Sequence, residues 1–102
     1  GRQLDGVPAS VTALPDIVEI VDGKIPVLMD GGVRSGLDVL RALALGADAC
    51  LLGRAWAYPL AAGGEQAVAK MLGLLRAELK VAMSLTGCTD VRKAGRELLV
   101  QR

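Results

Sequence analysis

The sequence predicts an α/β fold in which helices cover parallel strands, and the order of its elements supports this prediction. Two apolar runs, Ile25–Met29 and Ala49–Leu52, have the uninterrupted hydrophobic character of strands that are buried on both faces. A helical pattern separates the two runs, and further helical patterns precede the first run and follow the second. Alternating elements of this length indicate parallel strands with helices packed outside them.

The length of the chain limits how much of such a fold it can form. Its 102 residues allow at most one small domain. Two parallel strands alone do not make a stable sheet, because their apolar faces need further strands on both sides. The first residue is not Met, and the chain contains no histidine. We therefore expect the chain to be the last quarter to third of a larger α/β structure.

The first predicted elements are a loop and a helix. Gly1–Gly6 is polar and bounded by glycines, which is typical of a loop. A helix is predicted over about Thr12–Val21, and Asp22 and Gly23 end it. Proline is compatible with a helix only near the first turn, so Pro15 leaves the start of this helix open.

The helix between the two strands has clear signals at both ends. Ser35 is the predicted N-cap, and Asp38 follows it at the spacing of a capping box. Gly46 can end the helix in the left-handed conformation. The apolar residues between these signals recur at helical spacing, and they are Leu37, Leu40, Leu43 and Ala44.

A loop, a long helix and a polar tail are predicted after the second strand. Ala55–Gly64 is rich in small and aromatic residues and contains a proline, so a connecting loop is predicted. The longest helix is predicted from Glu65 to about Leu85, and Gly87 lies just beyond its end. The tail is predicted to contain a short helix at Asp90–Ala94 and an extended end near Leu98–Val100.

Composition argues against several classes of function. A net charge of +1, with basic and acidic residues interspersed, provides no electrostatic basis for binding nucleic acid or an anionic membrane. No apolar stretch reaches the roughly 18 residues of a membrane span, and the polar start does not resemble a signal peptide. Cys50 and Cys88 form neither a metal site nor a disulfide framework. Sparse cysteine favours a reducing, cytoplasmic compartment.

The turn after the first strand has the composition of a phosphate site. Gly31 and Gly32 allow the backbone to approach a ligand closely, and successive amides there can form an anion-binding nest. The next helix would direct the positive end of its dipole to the same point. Arg34 adds a guanidinium suited to phosphate. Gly53 and Arg54 follow the neighbouring strand, so we predict that the two groups converge, as they do after strands seven and eight of (β/α)8 barrels.

Each of these features also has a simpler interpretation. The alternative to a phosphate site is a tight turn with a solvated Arg34, and the turn matches neither a Walker loop nor the dinucleotide fingerprint. For Trp56 and Tyr58 a structural role is favoured over contact with substrate. Judged by position alone, Arg2 would be a solvated terminal arginine.

Three segments carry a family resemblance. The hexapeptide Gly1–Gly6, the turn Asp30–Gly36 and the segment Leu52–Arg54, in this order and spacing, resemble the FMN-dependent α-hydroxy-acid dehydrogenases and oxidases. That family includes flavin L-lactate dehydrogenases, glycolate oxidases and mandelate dehydrogenases. The stretch from Gln66 to Val100 is most similar to bacterial quinone-linked L-lactate dehydrogenases. Other FMN and phosphate-binding barrels share the Asp-Gly-Gly turn, and the opening hexapeptide narrows the choice.

The resemblance implies a fold and a set of site residues. Residues 1–102 would be the C-terminal segment of one FMN-binding (β/α)8 TIM barrel, comprising about the last two βα units and the preceding helix. Asp30 would contact the flavin ribityl chain, and Arg2 would bind the substrate carboxylate. The catalytic base of the family is a histidine, expected two residues before Gly1, so no catalytic residue and no metal ligand is predicted in this chain. The residues implied to bind the cofactor phosphate are Gly31, Gly32, Arg34, Gly53 and Arg54.

The implied reaction is the FMN-dependent oxidation of an L-2-hydroxy acid, with L-lactate to pyruvate as the favoured case. The implied partners are a small 2-hydroxy-acid substrate, the remaining N-terminal part of the barrel, and further copies in a homo-oligomer, a tetramer by resemblance. The implied location is cytoplasmic or peripheral to the inner face of a bacterial membrane. The alternatives are another FMN or phosphate-binding barrel enzyme, or a non-catalytic fragment that packs against or domain-swaps with the rest of its barrel. We expect the isolated chain to be inactive.

Overall fold

A computed structural model describes residues 3–100, and the predicted substrate residue Arg2 lies outside these residues. The order of helices and strands along the chain is the predicted one. The elements are α1 (Ser10–Val21), β1 (Leu28–Met29), α2 (Gly36–Ala44), β2 (Ala49–Cys50) and α3 (Arg54–Thr86), followed by 3-10 turns at Val91–Lys93 and Arg96–Leu98.

The two strands are parallel, as predicted, but shorter than predicted. Leu28 lies opposite Ala49, and Met29 lies opposite Cys50. Before this pairing, the Asp48 carboxylate accepts a hydrogen bond of 2.7 Å from the Val27 amide. The predicted strands Ile25–Met29 and Ala49–Leu52 are too long, because within residues 3–100 the paired ladder residues are Leu28 and Met29 in β1 and Ala49 and Cys50 in β2.

Helix α1 begins at Ser10, two residues before the predicted start. Pro15 therefore lies in the second turn of the helix and not in the first. In the second turn, the missing amide of proline removes one intrahelical hydrogen bond. Asp22 ends the helix in the left-handed conformation, with φ of 50°. Leu14 is the buried residue of the helix, and it anchors α1 to the strands.

Helix α2 has the predicted ends. The Ser35 hydroxyl accepts from the Asp38 amide at 3.1 Å, and the Asp38 carboxylate accepts from the Ser35 amide at 3.1 Å, which confirms the capping box. Gly46 follows the helix with φ of 102°. A Cβ at Gly46 would lie 2.7 Å from Cγ1 of Val18, so this turn packs directly against α1.

Helix α3 corrects the prediction for Ala55–Gly64, because this stretch is helical and not a loop. Gly63 and Gly64 are the residues with non-helical backbone angles inside α3, and Gly64 has φ of 63°. They form a kink between a first helical segment, residues 54–62, and a second segment, residues 65–86. Pro59 lies inside the first segment. Gly87, with φ of 71°, ends the second segment as predicted.

The tail forms two 3-10 turns. The first, Val91–Lys93, lies within the predicted short helix, and the Asp90 carboxylate caps it by accepting from the Arg92 amide at 3.0 Å. The second, Arg96–Leu98, shows that the predicted extended end at Leu98–Val100 begins one residue too early, since the extended backbone begins at Leu99.

The core is small for a chain of this size. Its central cluster lies between α1, the strands and α2. The exposed surface is 7672 Å², whereas a compact monomer of 10.6 kDa exposes about 5,500 Å². The central cluster of the core consists of Leu14, Met29, Val33, Ala42 and Ala47.

Among the helices of residues 3–100, none has both the length and the apolar character needed to cross a membrane.

Candidate anion-binding site

The residues predicted to bind the cofactor surround one cavity at the carboxyl ends of the two strands. The parallel pairing continues past β2, where the Leu51 amide donates to the Met29 carbonyl at 2.8 Å, so the turns that follow the strands lie side by side. A cavity of about 210 Å³ opens between them. The predicted convergence of the two turns is therefore confirmed. The cavity is lined by Asp30, Gly31, Gly32, Val33, Arg34, Gly53, Arg54 and Ala55.

The glycine turn has the backbone conformation that its sequence predicts. Gly31 has φ of 105° and Gly32 has φ of 77°, a region that favours glycine. Oδ1 of Asp30 accepts from the Gly31 amide at 2.8 Å, so this carboxylate stabilises the turn. A Cβ at Gly31 would lie 2.9 Å from the Ser10 hydroxyl, which places the turn directly against the start of α1. Within residues 3–100, no hydrogen bond engages the Gly32 or Val33 amide.

The amino end of α2 is occupied by groups of the chain itself. Asp38 Oδ2 accepts from the amides of Arg34 and Ser35, each at 3.1 Å. Glu78 Oε2, from α3, accepts from the Gly36 amide at 2.8 Å. Two carboxylates therefore offset the positive end of this helix. That the α2 dipole acts on a bound anion stays a prediction.

The first turn of α3 provides the free helix end instead. Gly53 is its N-cap, and no side chain caps the helix. The Gly53 carbonyl accepts from the amides of Trp56 and Ala57 at 3.1 and 3.3 Å, while no hydrogen bond within the described residues engages the amides of Arg54 and Ala55. A helix end of this kind attracts anions through its free amides and its dipole.

Val33 and Ala55 line the cavity but were not among the predicted cofactor residues. Ala55 was assigned to a loop, whereas it lies in the first turn of a helix. The alanines of the first helical segment were the available signal, because alanine has the highest helix propensity. Trp56 and Tyr58 are exposed by 43% and 70% and do not line the cavity.

The charge of the cavity is positive on balance. Arg34 and Arg54 are both exposed, and neither forms an ion pair with another residue between positions 3 and 100. Asp30 is the acidic residue among those that line the cavity, and one of its oxygens already accepts from Gly31. Two arginines and several residues with free amides thus line one cavity, and guanidinium groups and backbone amides are donors that bind phosphate.

Comparison with known proteins gives a consistent result. The family described as FMN-dependent dehydrogenase matches residues 1–101. L-lactate dehydrogenase from Alcaligenes faecalis is 54% identical over 101 residues, which cover 99% of this chain and 27% of that protein. L-lactate dehydrogenase from Caulobacter vibrioides is 55% identical over 102 residues, which cover 100% of this chain and 27% of that protein. The chain thus spans about a quarter of the length of these curated relatives.

Solved structures of mandelate oxidase share the fold of the chain. A variant with the monooxide FMN adduct has a TM-score of 0.86 and 48% identity, and the match covers 91% of this chain and 30% of that one. Mandelate oxidase with benzoyl-formic acid has the same TM-score and identity, with 91% and 28% covered. The chain is an α/β fragment that matches about a quarter to a third of a TIM-barrel structure.

Proposed function

Because the chain belongs to the FMN-dependent dehydrogenase family, we propose that it forms the cofactor-phosphate site of an enzyme that oxidises L-lactate to pyruvate. The relatives named above are L-lactate dehydrogenases, and a solved structure of a mandelate oxidase variant contains (S)-mandelic acid, which is a 2-hydroxy acid like lactate. The complete enzyme is this chain together with the remaining part of the barrel. The observation that carries the proposal is the convergence of Arg34 and Arg54 on one cavity.

The residues around the cavity fit the phosphate group of FMN. A phosphate carries oxygens that accept hydrogen bonds in several directions, and the cavity offers donors from two turns. Arg34 and Arg54 supply guanidinium groups without competing ion pairs among the described residues. Gly32, on the glycine turn, and Ala55, on α3, supply free amides. In the proposed arrangement, the positive glycine φ angles let the backbone of the turn approach the phosphate directly.

Asp30 has a different proposed partner from the two arginines. Its carboxylate would repel a phosphate oxygen, but it can accept a hydrogen bond from a hydroxyl. Oδ1 already accepts from the Gly31 amide, and Oδ2 makes no hydrogen bond within residues 3–100. We therefore assign Asp30 to a hydroxyl of the flavin ribityl chain, next to the phosphate.

The chain contributes to the reaction by binding and orientation. When bound, FMN supplies the acceptor for the two electrons removed from the substrate. Arg34 and Arg54 would hold the phosphate end of the cofactor. Arg2, proposed on the strength of the opening hexapeptide, binds both oxygens of the substrate carboxylate through its guanidinium. That contact orients the α-carbon.

The proposal extends to assembly and location. The complete enzyme is proposed to be a homo-oligomer, a tetramer by resemblance, on the cytoplasmic side of the cell. Static light scattering of the complete enzyme tests the assembly, since a monomeric mass would contradict it.

The test of the proposed site uses arginine variants of the complete enzyme. A hydrogen bond to a charged group contributes roughly 1.5–3 kcal/mol, and about 1.4 kcal/mol corresponds to tenfold in affinity. We expect Arg34→Ala and Arg54→Ala each to weaken FMN binding by about tenfold or more, as measured by fluorescence titration of the apoenzyme. Arg76→Ala is the matched control, because Arg76 is an exposed arginine of α3 that does not line the cavity.

The same preparations test the reaction. Dye reduction is measured with L-lactate, with D-lactate as the stereochemical control and with (S)-mandelate as an alternative substrate. Turnover of (S)-mandelate in preference to L-lactate would retain the reaction class and overturn the substrate. A structure with ordered phosphate that contacts neither Arg34 nor Arg54 would overturn the assignment of the site.

A further inference from the structure

We infer that Glu78 and Gly36 are positioning residues for the phosphate site: their contact fixes the phosphate turn, defined here as residues 30–34, relative to α3. The inference rests on the proposed function, because it assigns a role toward the same cofactor phosphate. Neither residue lines the cavity, so both act through the residues that do.

The first observation is the close approach of α2 to α3 at Gly36. Gly36 is buried and is the first residue of α2. A Cβ at this position would meet the backbone of α3 at three points, among them the Leu75 carbonyl oxygen at 2.5 Å and the Glu78 carbonyl carbon at 2.7 Å. These are backbone atoms, so no side-chain rotation can make room. Glycine is therefore required here for helix packing.

The second observation is the hydrogen bond that closes this contact. Glu78 Oε2 accepts from the Gly36 amide at 2.8 Å, between residues that are 42 positions apart in the sequence. The Gly36 amide belongs to the first turn of α2, where intrahelical partners are lacking. A carboxylate at this helix end gains both a charge-assisted hydrogen bond and a favourable interaction with the dipole. The contact thus fixes one point of α2 on α3.

The contact can affect the phosphate turn because the intervening residues are held together. Only Ser35 separates Gly36 from Arg34. Asp38 Oδ2 accepts from the amides of Arg34 and Ser35, which links the end of the turn to the first turn of α2. A shift of Gly36 away from α3 would therefore move the backbone of Arg34 with it.

The other half of the phosphate site lies in the first segment of α3, which the kink at Gly63 and Gly64 joins to the second segment. Arg54 and Ala55 lie at the start of α3, and Glu78 lies in the second segment of α3, beyond the kink. The Gly36–Glu78 contact thus sets the position of the phosphate turn relative to the second segment of α3 and, through the kink, relative to the first segment, which carries the second arginine. Two donors that must meet one phosphate need a fixed separation, so loss of the contact should weaken phosphate binding specifically.

The test compares FMN with riboflavin, which has the same ring and ribityl chain but no phosphate. Dissociation constants of both are measured by fluorescence titration of the apoenzyme of the complete protein, and their ratio is the preference for the phosphate. We expect Glu78→Ala to lower this preference about fivefold to tenfold. Glu78→Gln should stay within about twofold of wild type, because its amide oxygen can still accept from Gly36. Glu19→Ala, which removes an exposed carboxylate on α1, is the control.

The outcomes separate a positioning role from a general effect on stability. Equal loss of affinity for FMN and riboflavin in Glu78→Ala, or equal effects of Glu78→Ala and Glu78→Gln, would overturn the inference. If wild type shows no preference for FMN, or if Arg34→Ala leaves that preference intact, the proposed phosphate site itself fails. If Arg34→Ala abolishes the preference and Glu78→Ala leaves it unchanged, only the positioning role fails.

Discussion

The exposed surface of the chain leads to a prediction about residues 1–102 expressed alone. The chain exposes 7672 Å², about 2,200 Å² more than a compact monomer of its mass. If this excess were buried against an equal area of a partner, the interface would total about 4,400 Å², which lies in the range of obligate protein–protein interfaces. We therefore expect the isolated chain to associate with itself and not to remain a clean monomer.

The excess surface is apolar where the strands would meet their neighbours. Leu28 and Leu51, at the two strands, are 55% and 49% exposed, and Ile25, before β1, is 64% exposed. Each strand is paired on one side only within residues 3–100, so its other edge presents free amides and carbonyls. Apolar faces and free edges together promote association.

Sedimentation velocity over a range of dilutions measures this behaviour. The expected result is a distribution of species heavier than 10.6 kDa. Addition of the remaining part of the barrel as a separate polypeptide should replace these species by a defined complex. The isolated chain should also reduce no dye with L-lactate, since it has no histidine to act as a base near neutral pH. A stable monomer would refute the structural reasoning, and measurable turnover would refute the catalytic reasoning.

Three further predictions concern single residues. In the complete enzyme, Arg2→Lys should lower kcat/KM by roughly 10²-fold with FMN content unchanged, because lysine keeps the charge but loses the bidentate geometry. Unchanged kinetics would mean that Arg2 is a solvated residue. Loss of flavin would mean that Arg2 belongs to the cofactor site and that its assignment to the substrate is wrong. Gly46→Ala should lower the free energy of unfolding by about 1–3 kcal/mol, because φ of 102° disfavours alanine and the new Cβ would press on Val18; an unchanged denaturation midpoint would contradict this. The hydrogen bond from Arg92 holds the pKa of Asp90 below its ordinary value of 3.8. The stabilisation by this carboxylate is therefore complete above pH 3.8 and is lost as the pH falls through the lower folded pKa. An NMR titration should show that Arg92→Ala returns the pKa of Asp90 toward 3.8, and a wild-type pKa at or above 3.8 would exclude the effect.

Local signals in the sequence were sufficient for the helix boundaries of α2. Ser35 and Asp38 specify the start through a capping box, and Gly46 specifies the end through a positive φ. All these interactions lie within a few residues of one another along the chain. The convergence of the two turns was also predictable, because parallel strands necessarily end at the same edge of a sheet.

The lengths of the strands could not be predicted from the same signals. An apolar run such as Ile25–Met29 records how many residues are suited to burial, whereas a strand is defined by hydrogen bonds to a neighbour. Within residues 3–100, β1 pairs with β2 alone, over Leu28 and Met29. The difference between the apolar run and the observed strand thus reflects pairing and not composition.

The first segment of α3 was missed because its signals conflict. Pro59, Gly63 and Gly64 indicate a loop, whereas the alanines around them favour a helix. The structure resolves the conflict by retaining Pro59 within the helix and by concentrating the irregular backbone at the two glycines. The consequence for function is direct, since the helix places Ala55 and the free amides of its first turn at the cavity.

The amino end of α2 is capped by one contact that is local in the sequence and by one that is distant, whereas the amino end of α3 has no side-chain cap. The capping box at Ser35 and Asp38 is visible in the sequence, and it already implies that part of the α2 amino end is satisfied internally. Glu78 adds a second carboxylate from 42 residues away, which no local pattern reveals. Because both carboxylates offset the positive end of α2, we propose that this helix orients the phosphate turn and that the uncapped first turn of α3 attracts the anion. On this proposal, the helix that directly follows the glycine turn positions that turn, and the anion-binding helix is the one that follows the neighbouring strand.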